Sequence, residues 1–326
     1  MTTLTIVEYH YVRPLARTRF PSIKGLELAL FEEQLDYIQH HYTVVTTEAV
    51  IDALDGKYKL PPYAALLTFD DGLLDHYTYV FPRLVERGLS GAFFPTAESA
   101  IERQMLDVHK IHFILASGAE LGELINYIDL ACVERADEFG LLSVSDYRRN
   151  YWINRRYDTA PVSYAKNMLQ YALPSLLRRE LTSELFARHV SANETAFAEE
   201  LYMSVEQLRL MVSSGMHVGS HGSTHQLLGK MGRSEQELDI LGSLRLLSSV
   251  GMDPAHYTIC YPCNDYNADT IEIVSAVGFR AAFKEGKALA NVVSSERFAL
   301  TRLDTNDLPK QGNATISEWT IRAGLD

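Results

Sequence analysis

Two adjacent aspartates stand where an apolar run ends. Residues 65–69 are followed by Asp70, Asp71 and Gly72. Active sites of α/β proteins lie at the carboxyl ends of buried strands, and two neighbouring carboxylates there repel each other unless they share a cation. An aspartate can instead cap a following helix, although capping uses only one carboxylate. The pair therefore favours a site in which one carboxylate binds a cation and the other transfers a proton.

Two histidines four residues apart form the second candidate. His221 and His225 follow a strand-like run at 216–219, as the aspartates follow theirs. The spacing alone is a weak signal because the chain contains 11 histidines. One carboxylate and two imidazoles leave coordination positions open, as in a catalytic zinc site. His217 lies inside the run, and we interpret it as a buried, hydrogen-bonded histidine.

The elements that would position these residues alternate between short apolar runs and capped amphipathic segments. This alternation is typical of βα units around a mostly parallel sheet. Strands are predicted at 4–9, 64–69, 91–94, 216–219, 257–261, 279–283 and 298–301. They predict an α/β fold, a distorted (β/α)7-type barrel. A doubly wound open sheet is the alternative, disfavoured because no glycine-rich loop follows the first strand.

Residues 101–203 interrupt this alternation with helix-like segments and many tyrosines and arginines. We predict that they form a helical insertion subdomain, and that 1–100 and 204–326 form the barrel. Aromatic residues within the insertion could stack on sugar rings, but burial in the subdomain is the simpler interpretation. These residues are Tyr147, Tyr151, Trp152 and Tyr157.

Charge and cysteine content exclude several classes of protein. Thirty basic and 42 acidic residues give a net charge of −12, which disfavours nucleic acid and anionic membranes as partners. Three cysteines cannot form a disulfide framework and suit a reducing compartment. The amino terminus lacks the pattern of a signal peptide, and no transmembrane segment is expected because no apolar window reaches ~18 residues. We therefore expect a soluble cytoplasmic protein.

Together the motifs resemble those of the polysaccharide deacetylases of the NodB-homology type, carbohydrate esterase family 4. Residues 68–72 resemble the first motif of that family, and His221–His225 resemble the second. Residues 259–264 resemble the third motif in its Tyr-Pro form. The Cys-x-x-Cys spacing within this third segment could also indicate a redox site, which the surrounding pattern does not support.

This resemblance implies a role for each matching residue. Asp70 would be the catalytic base, while Asp71, His221 and His225 would hold one divalent metal ion, for which we expect Zn²⁺. The backbone amide of Cys263 would help to bind the oxyanion. Tyr261 belongs to the same substrate-binding segment.

The sequence departs from the family pattern at two points, so the base-orienting arginine and the general acid must come from other residues. The third motif lacks the usual arginine that orients the base, and Arg302, after another predicted strand, could supply the same charge. The late Leu-x-His motif is missing because no histidine follows His256. In a permuted branch of the family the general acid comes from the first strand, and residues 8–12 resemble that version. His10 is therefore the candidate acid.

We therefore expect a metal-dependent hydrolase that removes an N-acetyl group from an amino sugar. The substrate would be an N-acetylated sugar or glycan, expected to be an intracellular precursor of a surface polysaccharide. The alternative is a catalytically impaired, carbohydrate-binding member of the same fold, suggested by the departures at Cys263 and Asn264. A two-histidine, one-carboxylate iron oxygenase is a third hypothesis, but its usual β-sandwich scaffold does not match these βα units.

Overall fold

A parallel sheet of seven strands organises the computed structural model, which describes residues 3–324. The strands are β1 (Thr3–Tyr9), β2 (Ala64–Asp70), β3 (Ala92–Phe94), β4 (His217–Val218), β5 (Thr258–Cys260), β6 (Ala281–Glu285) and β7 (Leu300–Asp304). Their order in the sheet is β4-β3-β2-β1-β7-β6-β5, and every neighbouring pair is parallel. Two-residue strands also form at Val12–Arg13, Leu26–Glu27, Thr43–Val44 and Ala290–Asn291.

Ser220 connects the two ends of this sheet. Its backbone N–H donates to the carbonyl of Thr258 at 2.8 Å, and its own carbonyl accepts from the N–H of Cys260 at 2.8 Å. This parallel bridge joins the chain just after β4 to β5. The barrel is therefore nearly closed, which confirms the predicted fold over the open-sheet alternative.

The side chains that point into the barrel are apolar along most of each strand and polar near the carboxyl ends of the strands. Leu4 and Ile6 of β1 belong to an apolar cluster with Leu66 of β2 and Phe283 of β6. Glu8 has the same parity as Leu4 and Ile6, so it points to the same face of the sheet nearer the carboxyl end. Polar side chains therefore line the inside of the barrel near the carboxyl ends of the strands.

A second apolar cluster lies on the outer face of the sheet, and every helix of the barrel unit except Thr47–Leu54 contributes to it. Val50 and Leu54 of that helix belong to the first cluster. The helices of the unit are Leu28–His41, Thr47–Leu54, Phe81–Glu86, Val205–Ser213, Arg233–Val250, Ala268–Val277 and Glu318–Ala323, with π-helical turns at His76–Val80 and Glu98–Glu102. The last barrel strand differs from its predicted position at 298–301, because β7 covers Leu300–Asp304. Arg302 thus lies within that strand and not after it.

The chain divides into two compact units. The first contains the described residues up to Pro14, Gly25–Gln104, and the chain from Ala198 onward. The second contains Leu15–Lys24 and Met105–Phe197. Its helices are Asp107–Ala116, Leu121–Glu134, Ala136–Phe139, Val144–Tyr151, Ala160–Asn167 and Ser175–His189, a π-helical turn at Met168–Ala172, and the start of Glu194–Leu201.

Aromatic side chains form part of the core of the second unit. Phe197 packs edge-on against Phe113 and Phe186, with ring centroids 4.8 and 5.2 Å away. Of the aromatic residues singled out in the sequence, Tyr147 is buried, whereas Trp152 is 37% exposed. Across residues 3–324, no helix is both long and apolar enough to cross a membrane.

Candidate active site

Three predicted metal ligands converge at the carboxyl end of the barrel. The Nε2 atoms of His221 and His225 lie 3.5 and 3.3 Å from Oδ1 of Asp71. Ligands bound to Zn²⁺ at 2.0–2.1 Å in a tetrahedron are separated by roughly 3.3–3.4 Å. The donor set and its spacing therefore fit a zinc-type ion, with a fourth position left for water or substrate.

His221 is held in the orientation that a metal ligand needs. Its Nδ1 lies 2.9 Å from the carbonyl oxygen of Cys260, which can only accept a hydrogen bond. Nδ1 therefore carries the proton and the Nε2 lone pair faces Asp71. Burial lowers the pKa of His221 to about 4, so the imidazole is neutral at neutral pH, as metal binding requires.

A buried carboxylate anchors the loop between the two histidines. Asp239, on the helix Arg233–Val250, accepts hydrogen bonds from the backbone N–H of Ser223 at 2.9 Å and from that of Thr224 at 3.0 Å. It also accepts from the Thr224 hydroxyl at 2.6 Å. A Cβ at Gly222 would lie 2.6 Å from the Asp239 carboxylate, so a glycine is needed there. These contacts fix a loop that ends at His225, whose φ of 59° is left-handed.

The backbone turn after β2 separates the two aspartates. Asp71 and Gly72 have φ values of 72° and 65°, in the left-handed region that aspartate tolerates better than most residues. A Cβ at Gly72 would lie 2.6 Å from the Cβ of Pro95, which explains the glycine. The turn lets Asp71 face the histidines while Asp70, at the end of the strand, faces the barrel interior.

Asp70 forms a two-point ion pair with Arg302 inside the barrel. The guanidinium donates to the two carboxylate oxygens at 2.8 and 2.6 Å, and both side chains are 2% exposed. Arg302 also donates to the Thr68 hydroxyl at 3.2 Å. Burial raises the pKa of Asp70, but the adjacent guanidinium outweighs it and brings the value to about 2. Asp70 is therefore an ionised carboxylate in a fixed orientation.

His10 lies at the rim, where a substrate could reach it. Its side chain is 43% exposed, and its Nε2 lies 3.7 Å from Oε1 of Glu8. Desolvation lowers the pKa of His10, but the carboxylates of Asp71, Glu8 and Asp70 together raise it by more. The net shift is therefore upward. This direction favours the protonated imidazolium, the form that can donate a proton.

Glu8 is a site residue that the sequence analysis did not identify. Its carboxylate is buried and lies 3.1 Å from Nη2 of Arg302. Burial raises its pKa to about 7, although Arg302 acts in the opposite direction. The available signal was strand alternation, because Glu8 has the same parity as Leu4 and Ile6 and therefore points into the barrel near the end of β1.

The third motif places the thiol of Cys260 against Asp70, whereas the side chain of Tyr261 packs elsewhere. Cys260 donates from Sγ to Oδ2 of Asp70 at 3.4 Å. The Tyr261 hydroxyl donates to the carbonyl of Phe298, and its ring stacks on Tyr266, so this side chain serves the packing of the barrel. The part of Tyr261 in substrate binding stays a prediction. Cys263 is exposed with a φ of 54°, and its oxyanion role stays a prediction.

His217 is placed in the barrel interior and away from the metal ligands. Its Nε2 lies 2.8 Å from the Thr258 hydroxyl, and its Nδ1 lies 3.2 Å from Oε1 of Glu48. Both ring nitrogens therefore have protein partners, as expected for a buried histidine.

Comparison with known proteins finds a family model that matches part of the chain around this site. The family model described as polysaccharide deacetylase matches residues 156–282. This segment contains His221, His225 and Cys263, whereas the two aspartates and Arg302 lie outside it. No curated protein sequence matches the chain.

Solved structures share the fold at low sequence identity. The Streptococcus pyogenes deacetylase PplD, in complex with acetate, is 13% identical with a TM-score of 0.57, covering 100% of this chain and 99% of that one. IcaB from Ammonifex degensii is 19% identical with a TM-score of 0.55, covering 99% and 98%. A de-N-acetylase from Aggregatibacter actinomycetemcomitans is 17% identical with a TM-score of 0.55, covering 99% and 100%. The resemblance found in the motifs is thus confirmed: residues 156–282 match the polysaccharide deacetylase family model, and the chain shares its fold with solved deacetylases.

Proposed function

We propose that this protein is a metal-dependent N-deacetylase acting on an N-acetylated amino sugar. The observation that carries the proposal is that the candidate metal ligands, base and acid lie together at the rim of the barrel. A zinc-type ligand set of Asp71, His221 and His225 lies beside Asp70, which Arg302 orients. His10 stands exposed at the same rim. A metal-ligand set, an oriented base and a candidate acid are the groups that amide hydrolysis requires.

Each group has a distinct task in this proposal. A bound divalent ion, for which we propose Zn²⁺, would polarise the acetyl carbonyl and make a water molecule more acidic. Asp70 takes the proton from that water, and Arg302 keeps the carboxylate aimed at it. His10 gives a proton to the sugar nitrogen as the C–N bond breaks, because an amine is a poor leaving group without it. The amide of Cys263 contributes to binding the oxyanion.

The substrate class follows from the family and from similar structures that include a de-N-acetylase. We propose an N-acetylated amino sugar belonging to a surface polysaccharide or to its precursor. Cys132, Cys260 and Cys263 are all thiols, which agrees with the reducing cytoplasm that we propose as the location.

Acetate release from oligomers of N-acetylglucosamine tests the proposal. The zinc-loaded protein should release acetate, and Asp70→Asn should lose ~10²- to 10⁴-fold in turnover, because an amide cannot accept the proton. Asp253→Asn, at an exposed position away from the site, is the matched control and should remain active.

The outcome also separates deacetylation from simple carbohydrate binding. A protein that binds zinc and glycan without releasing acetate would be the impaired binding member that the departures at Cys263 and Asn264 suggest. Loss of metal from the Asp70→Asn protein would instead show that the roles of the two aspartates are exchanged.

A further inference from the structure

Cys260 is a buried thiol that contacts the proposed base, and the proposed hydrolysis gives it no task. Its Sγ donates to Oδ2 of Asp70 at 3.4 Å, and both residues are buried. Sulfur, nitrogen and oxygen donors meet there, because ligand atoms of Asp70, His221 and Cys260 all lie within 4.8 Å of one another. A donor set that contains a cysteine sulfur selects soft metal ions.

The contact between the thiol and the carboxylate is close to the length that a bridging metal ion would give. A zinc-type ion binds cysteine sulfur at about 2.3 Å and carboxylate oxygen at about 2.0–2.2 Å, so in a tetrahedron these two atoms are separated by roughly 3.5–3.7 Å. The separation of Sγ of Cys260 from Oδ2 of Asp70 is 3.4 Å. An ion could therefore replace the thiol proton between these two atoms with little movement of either side chain.

The charges around Asp70 can be balanced by a divalent ion bound to a thiolate. Arg302 contacts the carboxylates of both Asp70 and Glu8, so one positive and two negative charges leave a net charge of −1. A divalent ion and the thiolate of Cys260 together bring a charge of +1. The buried charges would then sum to zero, which lowers the cost of removing them from water.

Arg302 does not block this position, although it bonds both oxygens of Asp70. A carboxylate oxygen can accept two hydrogen bonds, and Oδ2 has two partners, the guanidinium at 2.6 Å and the thiol at 3.4 Å. The ion would take the place of the thiol proton only. The neighbouring group of Glu8, His10 and Asp70 lacks such a position, since the guanidinium already contacts both of its carboxylates.

The two possible ligand sets share His221, so they are alternatives for one ion. Nδ1 of His221 faces the carbonyl oxygen of Cys260, which leaves the lone pair of Nε2 as the one available to a metal ion. With Asp71 and His225 this nitrogen completes the proposed zinc set. With Asp70 and Cys260 it completes the set that contains sulfur. An ion that prefers sulfur therefore competes with zinc for the same imidazole.

We propose that Asp70, Cys260 and His221 form an alternative binding site for a soft divalent cation, and that its occupation excludes zinc and stops turnover. On binding, the S–H bond of Cys260 breaks, its proton passes to solvent, and a sulfur–metal bond forms with no change of oxidation state. Asp70, as a metal ligand, can no longer take a proton from water. The loss of turnover rests on the proposed deacetylase function, whereas the site itself does not.

Cadmium ions test the site, because Cd²⁺ is softer than Zn²⁺ and its bond to a thiolate gives an ultraviolet charge-transfer band. The zinc-loaded protein, titrated with CdCl₂, should gain this band as it releases its bound zinc, which elemental analysis after gel filtration measures. Cys260→Ser keeps a hydroxyl beside Asp70 and should not show the band. Absence of the band from the wild type, or its persistence in Cys260→Ser, would overturn the proposal.

Variants at other thiols and ligands make the test specific. Cys132→Ala, in the helical unit, and Cys263→Ser, at the exposed thiol, should keep the band because Cys260 is unchanged. His225→Ala deletes a ligand of the zinc set only, so it should lose zinc and still show the band with Cd²⁺. Disappearance of the band in His225→Ala would overturn the proposal, since it would place the ion in the zinc set.

Asp70→Asn gives a second measurement that does not depend on the folding of Cys260→Ser. It keeps the thiol but removes the anionic oxygen ligand. It should need about tenfold or more Cd²⁺ to reach half of the band, since even partners that only orient a metal ligand change affinity by roughly 10- to 100-fold. An unchanged Cd²⁺ titration in Asp70→Asn would overturn the proposal.

Activity and metal binding together separate failure of this inference from failure of the proposed function. If Cd²⁺ gives the band and the zinc-loaded protein releases no acetate, the deacetylase function is wrong and the site stands. If the protein releases acetate and Cd²⁺ gives no band, the site is wrong and the function stands. Where both hold, Cd²⁺ should inhibit the wild type and Cys132→Ala at equal concentrations, and Cys260→Ser only at higher ones.

Discussion

Arg302 and Asp70 meet through two hydrogen bonds inside the barrel although 232 residues separate them along the chain. The third-motif segment places Cys260, not an arginine, against the same carboxylate. The guanidinium that orients Asp70, the proposed base, therefore comes from β7, at the other side of β1 in the sheet.

Arg302→Leu should destabilise the fold as well as abolish turnover. Removing one partner of a buried ion pair leaves Asp70 and Glu8 uncompensated, which costs about 3–5 kcal/mol. Urea unfolding of the wild type and the variant measures this loss. Arg302→Lys keeps the charge but not the two-point geometry, so it should recover more stability than activity. Equal stability of Arg302→Leu and the wild type would contradict the account.

His225→Ala should remove most bound zinc, because it deletes one of three protein ligands. Elemental analysis after dialysis measures the metal content directly. His256→Ala is a suitable control, since His256 lies in a turn away from the site. Unchanged zinc stoichiometry in His225→Ala would rule out the assigned ligand set.

Asp239→Asn should weaken zinc binding without touching a ligand. An asparagine offers one acceptor oxygen, and its NH₂ would oppose the N–H groups of the loop. Partners that orient metal ligands typically change metal affinity by about 10- to 100-fold. Competition with a chelator measures the affinity, and Glu237→Gln, on the exposed side of the same helix, is the control. Equal affinity in both variants would argue against loop anchoring by Asp239.

His76 should make the protein less stable in mild acid. Burial lowers the pKa of His76 to about 4, while the unfolded chain has the ordinary value near 6.5. Below pH 6.5 the unfolded state binds a proton that the folded state excludes. The free energy of unfolding therefore falls as the pH drops from 6.5 towards 4, by up to about 1.4 kcal/mol per pH unit.

The variant His76→Gln isolates this contribution. The amide can still donate to the carbonyl of His10, which His76 contacts through Nε2 at 2.8 Å, but it does not titrate. The other titrating groups are present in both proteins and cancel in the comparison. Urea unfolding at pH 7 and pH 5 should show a shallower pH dependence in the variant, and parallel curves would contradict the prediction.

The barrel could be predicted from the sequence because its strands are short apolar runs bounded by polar turns. The convergence of Asp71 with His221 follows from the same information, since both residues come directly after such runs. The predicted bounds of β7 start too early because the apolar residues at 298–300 begin before the segment that pairs with its neighbours. Pairing with β6 starts only at Leu300 and continues through Arg302.

Other parts of the site depend on information that apolar patterning does not contain. Glu8 acquires its surroundings from Arg302, which reaches it from a neighbouring strand. The position of Asp239 depends on how its helix is rotated against the loop between His221 and His225. Leu15–Lys24 belongs with the helical unit through tertiary contacts, although it ends 77 residues before residue 101, the predicted start of the insertion. Such relationships arise from register and packing between distant segments.

The bridge at Ser220 links folding of the barrel to assembly of the metal site. His221 follows Ser220 directly, so the pairing of Ser220 with Thr258 and Cys260 helps to fix its backbone, together with the bond from the His221 N–H to the carbonyl of Pro95 at 3.1 Å. Cys260 also supplies the carbonyl that orients the imidazole of His221. This closing contact joins segments about 40 residues apart, so the His221 imidazole is held in this orientation only when the chain after β4 lies against β5. A chain in which these two segments have separated would still present the two aspartates, but it would not hold the proposed zinc ligands together.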